Sequence, residues 1–302
     1  MAVKKTPPRP ERSPSGPRPR RTPRTAGPAS TRARDLRFEL FLAVVAVAVV
    51  AALVAAATRS GDDRTPTGTA ARAATPTTAP PTATSGPPRQ ASAADPLRLL
   101  VAGDSLVGYL PMVLDEELAG QPVEVINASK TSSGLARPDF YDWPGTLRRL
   151  MDEHDPDVVV IGLGGNDTQS LQTDAGTIRR EDPGWQGEYA RRVAEALDAV
   201  AAEGRTLWWV GLPLSERENL EELRPKLTGA VTSEIAKRPW AHYVDTLPVL
   251  APDGRYHVEL PGPDGEPVVV RADDGIHLSP AGTRMIADAF IGRIAEERGF
   301  DA

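Results

Sequence analysis

Covalent acyl chemistry needs a nucleophile, a base and a group that aims the base, and the chain holds residue types for all three at informative positions. Asp274-Gly275-Ile276-His277 places a carboxylate three residues ahead of an imidazole. At that spacing Asp274 can orient the ring of His277 and leave the far ring nitrogen to take a proton. Gly103-Asp104-Ser105-Leu106 closes an apolar run and opens a helical pattern. Ser105 therefore stands at a helix N-terminus, where unpaired N–H groups and the helix dipole favour negative charge. This suits a nucleophile, although the same residues also make an ordinary N-cap. Two further loops follow apolar runs. Ser132-Ser133-Gly134-Leu135 contains a glycine that permits close backbone approach and can aim its N–H into a site. Gly164-Gly165-Asn166-Asp167 allows a tight turn that presents the Asn166 amide as a donor.

Other residues carry weaker expectations. Asp104 and Asp167 adjoin the nucleophile and the amide and are candidate substrate contacts. Arg137 and Arg271 flank the second and last blocks and could hold an anionic group, or form surface ion pairs. Trp143 and Trp185, at loop or helix-start positions, could stack on sugar rings or serve as packing. His154, His242 and His257 have no partner at catalytic spacing and read as structural or exposed. The chain has no Cys, which rules out disulfides, thiol nucleophiles and Cys-ligated zinc, and Asp274 with His277 lacks the further ligands a metal ion needs. No metal and no cofactor is expected.

Positioning these groups calls for strands that end where the chemistry begins. Leu97–Ala102, Val123–Ile126, Val158–Leu163, Thr206–Val210 and Ala241–Val244 are short apolar runs rich in strand formers. Helical patterns separate them near Val107–Leu118, Pro144–His154, Trp185–Glu203 and Leu220–Lys237, and a last one covers Pro280–Arg298 behind the N-cap Ser279. Five strands alternating with helices imply an α/β fold with a parallel sheet covered on both faces. Functional groups then collect at the carboxyl ends of the strands, which is where the four blocks lie. Between Thr246 and Ala272 the turn signals Asp253-Gly254 and Asp264-Gly265 suggest an inserted hairpin that could cover the site.

Taken together and in this order, the four blocks resemble the SGNH (GDSL-type) hydrolase superfamily, over about Leu97 to Arg298. The wording from Ser133 to Trp143, with Trp208-Trp209-Val210-Gly211-Leu212-Pro213 and Asp274-Gly275-Ile276-His277, is similar to a periplasmic branch of that superfamily known as a domain of unknown function. The resemblance implies a three-layer flavodoxin-like fold with a five-stranded parallel sheet. It implies Ser105 as nucleophile, with Asp274 and His277 completing a triad. The Ser105 and Gly134 backbone N–H groups and the Asn166 side chain become the oxyanion donors.

Outside the domain, composition changes sharply. Residues 1–37 carry about nine net positive charges and the part after Pro96 about fifteen net negative ones, within a total of -6. Leu40–Ala57 is an unbroken apolar run of eighteen residues, close to the length that spans a bilayer core. Residues 1–37 are expected to be a disordered cytoplasmic tail, 38–58 a transmembrane anchor, 59–95 a disordered Pro/Thr/Ala-rich linker, and 96–302 the catalytic domain, placed outside by the positive-inside rule. The basic tail has no interleaved aromatic residues and directly precedes the apolar run, so no nucleic-acid partner is expected. Three functions fit: an esterase on O-acyl groups, most simply acetyl, of cell-envelope polysaccharide or lipid; an O-acyltransferase with the same triad; or a non-catalytic glycan-binding module.

Overall fold

The computed structural model describes residues 86–302. The basic tail, the apolar run 38–58 and residues 59–85 of the linker lie outside the described residues. Among those described, no helix is long and apolar enough to cross a membrane.

Strand β1 (Leu97–Gly103) is buried along its whole length apart from Arg98, which is half-buried. Such a strand must be covered on both faces. It pairs in parallel with β2 (Val123–Ser129) on one side and β3 (Val158–Gly162) on the other. Two short strands, β4 (Leu171–Thr173) and β5 (Gly176–Ile178), form a separate antiparallel hairpin. Strands β6 (Thr206–Val210) and β7 (Ala241–Val244) extend the parallel sheet, giving the order β2-β1-β3-β6-β7. Strand order reverses between β1 and β3. In a doubly wound sheet that reversal opens a crevice at the carboxyl ends, where ligands bind.

The helices take the faces that the pleat assigns. Alternation sends Trp209, Ile161 and Leu100 to one side, packed with Leu147 of α2 (Trp143–His154), Val193 of α3 (Trp185–Val200) and Leu227 of α4 (Glu218–Ile235). Trp208, Val160 and Val101 point to the other side, against Leu114 of α1 (Leu110–Glu117) and Phe290 of α6 (Pro280–Arg298). A single turn, α5 (Leu247–Leu250), precedes the hairpin of β8 (Glu259–Pro261) and β9 (Pro267–Val269). All five predicted strands and the final helix lie where the sequence placed them.

Two boundaries and one added element differ from expectation. The helix expected over Val107–Leu118 is split: a 3-10 turn holds Ser105–Val107, and α1 starts afresh at Leu110. Pro111 explains the restart, because proline is tolerated in the first turn of a helix and not within one. The linker also joins the domain earlier than Pro96. Arg89 donates to Asp157 through Nε at 2.8 Å, and the Ala91 N–H donates to the Arg298 carbonyl at 2.7 Å. Polar, proline-rich composition hid these contacts, since they are hydrogen bonds and not apolar burial. Finally, the hairpin β4–β5 was not anticipated, its strands being too short to show a period.

Candidate active site

The nucleophile loop is built by β1. At its end Gly103 adopts φ 141°, and a Cβ there would meet the Gly162 carbonyl at 2.1 Å. Only glycine lets the carboxyl ends of β1 and β3 approach so closely. The chain then turns through Asp104, whose carboxylate caps the 3-10 turn by accepting the Leu106 N–H at 2.9 Å. Ser105 is left as the first residue of the turn, half-buried.

From the far end of the chain, α6 and its N-cap Ser279 anchor the loop that carries the base. The segment before the helix folds back on itself: Arg271 bridges Leu278, and the Ala272 N–H donates to the His277 carbonyl at 2.9 Å. Asp274 Oδ1 accepts the N–H groups of Ile276 at 3.0 Å and His277 at 2.9 Å, which fixes the turn. Asp274 Oδ2 takes the Nδ1–H of His277 in a short contact. With Nδ1 committed as donor, Nε2 is the acceptor, and it lies 2.7 Å from Ser105 Oγ. Sequence separation between the two partners is 172 residues, so the line Asp274, His277, Ser105 is a product of the fold. Burial opposes the charge of Asp274, but the hydrogen bonds from the His277 side chain and the backbone N–H groups outweigh it and hold its carboxyl below the usual range. The loop after β6 braces this segment through the Glu216 N–H, which donates to the Gly275 carbonyl at 2.8 Å.

Asn166 donates one amide hydrogen to the Ser133 carbonyl at 3.0 Å. A side-chain amide has two such hydrogens, so the second remains for a ligand. Beside it, Gly134 is packed so tightly on Asp167 that an added Cβ would lie 2.1 Å from Oδ1. The second and third blocks are therefore clamped together, and glycine is the residue that permits it.

The two acidic candidates are placed differently from the expectation that they touch substrate. Asp104 and Asp167 are completely buried. Asp104 Oδ2 accepts the N–H groups of Gly164 and Gly165, and Asp167 accepts those of Leu135 at 3.0 Å and Ala136 at 2.8 Å, together with the Tyr189 hydroxyl at 2.7 Å. Their work is to tie the loops together. Burial pushes the Asp104 carboxyl up to about 7 against its three N–H hydrogen bonds, with the neighbouring Asp167 charge adding to the rise. Burial likewise raises Asp167, opposed by its hydrogen bonds and by Arg192.

Of the remaining candidates, the two tryptophans take the packing alternative and Arg137 the surface-pair alternative, not the ligand-binding ones. Trp143 is 1 % exposed and Trp185 fully buried. Their indole N–H groups donate inward, to Ser133 Oγ at 3.1 Å and to the Gln169 carbonyl at 2.9 Å, so neither can stack on a sugar. Arg137 pairs with Asp139 on the surface, at 2.7 Å and 2.8 Å. Arg271 is buried with its guanidinium over the Tyr256 ring, 5.0 Å from the centroid, and supports the base of the His277 loop from inside. His257 does have a carboxylate partner, Asp253 at 2.6 Å, on the exposed side of the loop before β8. Contributors not anticipated from the residue pattern are Tyr189, Ser133 and Glu216. Tyr189 lies one turn after Trp185 on the buried face of α3, where nothing but the fold distinguishes a packing tyrosine from one holding a carboxylate.

The profile of a family described as "Protein of unknown function (DUF459)" matches residues 98–293. An arylesterase from Vibrio mimicus is 43% identical over 84 residues, covering 23% of this chain and 38% of that enzyme. The match thus spans well under half of the relative's length. Solved structures with a similar fold include TesA (21% identity, TM-score 0.46, 66% of this chain and 99% of that one). Another is a carbohydrate acetylesterase family member from Sinorhizobium meliloti (17% identity, TM-score 0.47, 68% and 100%).

Proposed function

The chain belongs to the DUF459 family, and from the hydrogen-bonded line through Asp274, His277 and Ser105 we propose that it is a serine esterase acting on O-acyl groups of extracytoplasmic glycans. One observation carries the reading: Ser105 Oγ lies 2.7 Å from the free nitrogen of an imidazole whose other nitrogen is held by a carboxylate. Ser105 attacks the acyl carbonyl while His277 Nε2 takes its proton. The developing oxyanion accepts from the backbone N–H groups of Ser105 and Gly134 and from the second amide hydrogen of Asn166. His277 then returns the proton to the leaving alcohol, and a water deprotonated by the same imidazole releases the acyl group as a carboxylate.

Openness of the site favours water as the final acceptor. The side chains of His277 and Asp274 are 23 % and 38 % exposed, so solvent reaches the base that would activate a water. An O-acyltransferase needs that water excluded. The arylesterase relative is itself a carboxylic ester hydrolase by name, which supports an ester as the bond broken. The eighteen-residue apolar run behind a strongly basic segment supports an anchored, extracytoplasmic domain.

The test is covalent labelling by a fluorophosphonate. Ser105 should be modified, with labelling abolished in Ser105→Ala and strongly reduced in His277→Ala. Labelling that survives Ser105→Ala removes the nucleophile. Supplying an activated acetyl ester with and without glycan acceptors separates the outcomes: released acetate should dominate, and dominant transfer to sugar would make the chain a transferase.

A further inference from the structure

We propose that the cleft between α2, α3 and the β4–β5 hairpin binds the uncharged sugar portion of the substrate, with Tyr141 as its stacking platform and Arg148 as its hydrogen-bond donor. The cleft encloses about 750 Å³, the size range of small-molecule sites. Gly134 and Leu135 contribute to its lining. Gly134 follows directly on Ser133, whose carbonyl holds the Asn166 amide, so one backbone segment forms both the wall of the oxyanion site and the floor of the cleft. On this proposal a substrate with its acyl carbonyl at Ser105 extends past Gly134 into this space. This assignment rests on the esterase reading of Ser105 and names the part of the substrate that reading leaves open.

The lining selects the ligand class. Four carboxylates, from Asp142, Asp174, Glu188 and Glu195, face three guanidinium groups. Arg191 and Arg192 are already engaged with Glu188, and Arg191 also with Glu195. The near balance of charge gives a polyanion no net attraction. Polar groups alternating with small apolar surfaces suit a ligand with many hydroxyls and no charge.

Arg148 is unspent, and the Tyr141 ring carries the Lys130 ammonium 5.9 Å from its centroid. Arg148 is exposed, lines the cleft and forms no ion pair or side-chain hydrogen bond with any described residue. Tyr141 is half-buried, its ring fixed edge-on by Trp143 at 4.9 Å and 67°. Phe140, adjacent in the chain, is 53 % exposed, an unusual position for a large apolar ring. A fixed, partly exposed aromatic beside free hydrogen-bond donors is the arrangement that stacks on the apolar face of a pyranose and binds its hydroxyl edge. The stacking role assigned from sequence to Trp143 thus passes to its neighbour, with Trp143 as the support underneath.

The test measures binding by the full chain carrying Ser105→Ala, so that no turnover intervenes, using mono-O-acetylated cellotetraose as probe and glycerol phosphate as the anionic alternative. Tyr141→Ala and Arg148→Ala should each weaken sugar binding about tenfold or more, and Tyr141→Trp should restore it. Arg149→Ala, one position along α2 and paired outward with Glu153, should leave affinity unchanged and serves as the control. Thermal midpoints check that each variant is folded. Sugar affinity unchanged by both alanine variants, no sugar binding by the parent, or preferential binding of glycerol phosphate would each overturn the assignment. None of these readouts depends on Ser105 labelling. The cleft can therefore fail while the esterase reading stands, and the reverse.

Discussion

Asp104 accepts the N–H of Gly165 at 2.9 Å, one residue from the nucleophile on one side and one residue from the oxyanion amide on the other. A single buried carboxylate therefore sets the distance between Ser105 and Asn166. Asp167 repeats the device toward the second block, through the Leu135 and Ala136 N–H groups. Three loops that are far apart in sequence are held as one surface by two side chains that never meet solvent.

This arrangement predicts a pH signature in stability. The Asp104 carboxyl lies at about 7 in the fold, above its ordinary value of 3.8. Between those values the folded protein keeps a proton that the unfolded chain has released. The stabilisation is therefore complete below the unfolded value and is lost as pH rises through about 7. Denaturant midpoints should fall from pH 5 to pH 8 in the wild type, and the fall should be shallower in Asp104→Asn. Subtracting variant from wild type cancels His242, whose burial lowers its pKa in both proteins. Parallel pH profiles would mean that Asp104 is not the titrating group.

The second prediction concerns the oxyanion donors. Asn166→Ala should lower kcat by roughly a hundredfold or more on an activated acetyl ester, the usual loss for one donor. Gly134→Ala should act differently, because its Cβ collides with the Asp167 carboxylate. It should cost activity and substantial thermal stability, whereas Asn166→Ala, which gives up one hydrogen bond to the Ser133 carbonyl, costs chiefly activity. An unchanged rate for Asn166→Ala would place the oxyanion elsewhere.

The sheet was legible because its three central strands, β1, β3 and β6, are compact apolar runs, the only composition open to a doubly buried strand. The edge strands β2 and β7 are only partly buried and were read from their β-branched and aromatic residues. The triad was legible because the Asp274 to His277 spacing is local and the block order is distinctive. What the residues could not reveal was direction. Trp143 and Tyr141 stand two apart, and only the packing of α2 decides that the first points inward and the second toward the cleft. The same holds for Asp104 and Asp167, where an acidic residue beside a catalytic one reads as a ligand contact until the fold shows backbone N–H groups filling its lone pairs.

A third prediction follows from the exposure of the triad acid. Replacing a buried triad aspartate by asparagine costs roughly 10⁴ in kcat, through loss of the tautomer and of charge stabilisation. The Asp274 side chain is 38 % exposed, so water shares in stabilising the imidazolium and screens the pair. Asp274→Asn should accordingly cost roughly 10²- to 10³-fold, measured as kcat/KM on an activated acetyl ester. Asp274 itself, held below the usual carboxylate range by the His277 side chain and backbone N–H groups, should remain ionised to lower pH than an ordinary carboxylate. A loss as large as that of a buried triad would show that solvent plays no such part.

The last prediction addresses where the domain works. The chain has no cysteine, so a single introduced thiol reports its own position without background. Ala93 suits the purpose: it is exposed and lies in the turn bridged by Ser92 and Asp95, close to the point where the chain enters the domain. If the basic segment 1–37 stays in the cytoplasm and the run 38–58 spans the bilayer, Ala93 lies beyond the membrane, within reach of a membrane-impermeant maleimide added to intact cells. The Ala93→Cys chain should then be labelled before permeabilisation, and a thiol placed at Ser15 only afterwards. The second arm matters because a cleaved leader would also deliver Ala93 outside; in that case the Ser15 thiol would be absent from the mature protein even after the membrane is opened. Labelling of Ala93→Cys only in permeabilised cells would put the domain in the cytoplasm and exclude extracytoplasmic glycans as its substrate, while leaving the chemistry of Ser105 and His277 intact.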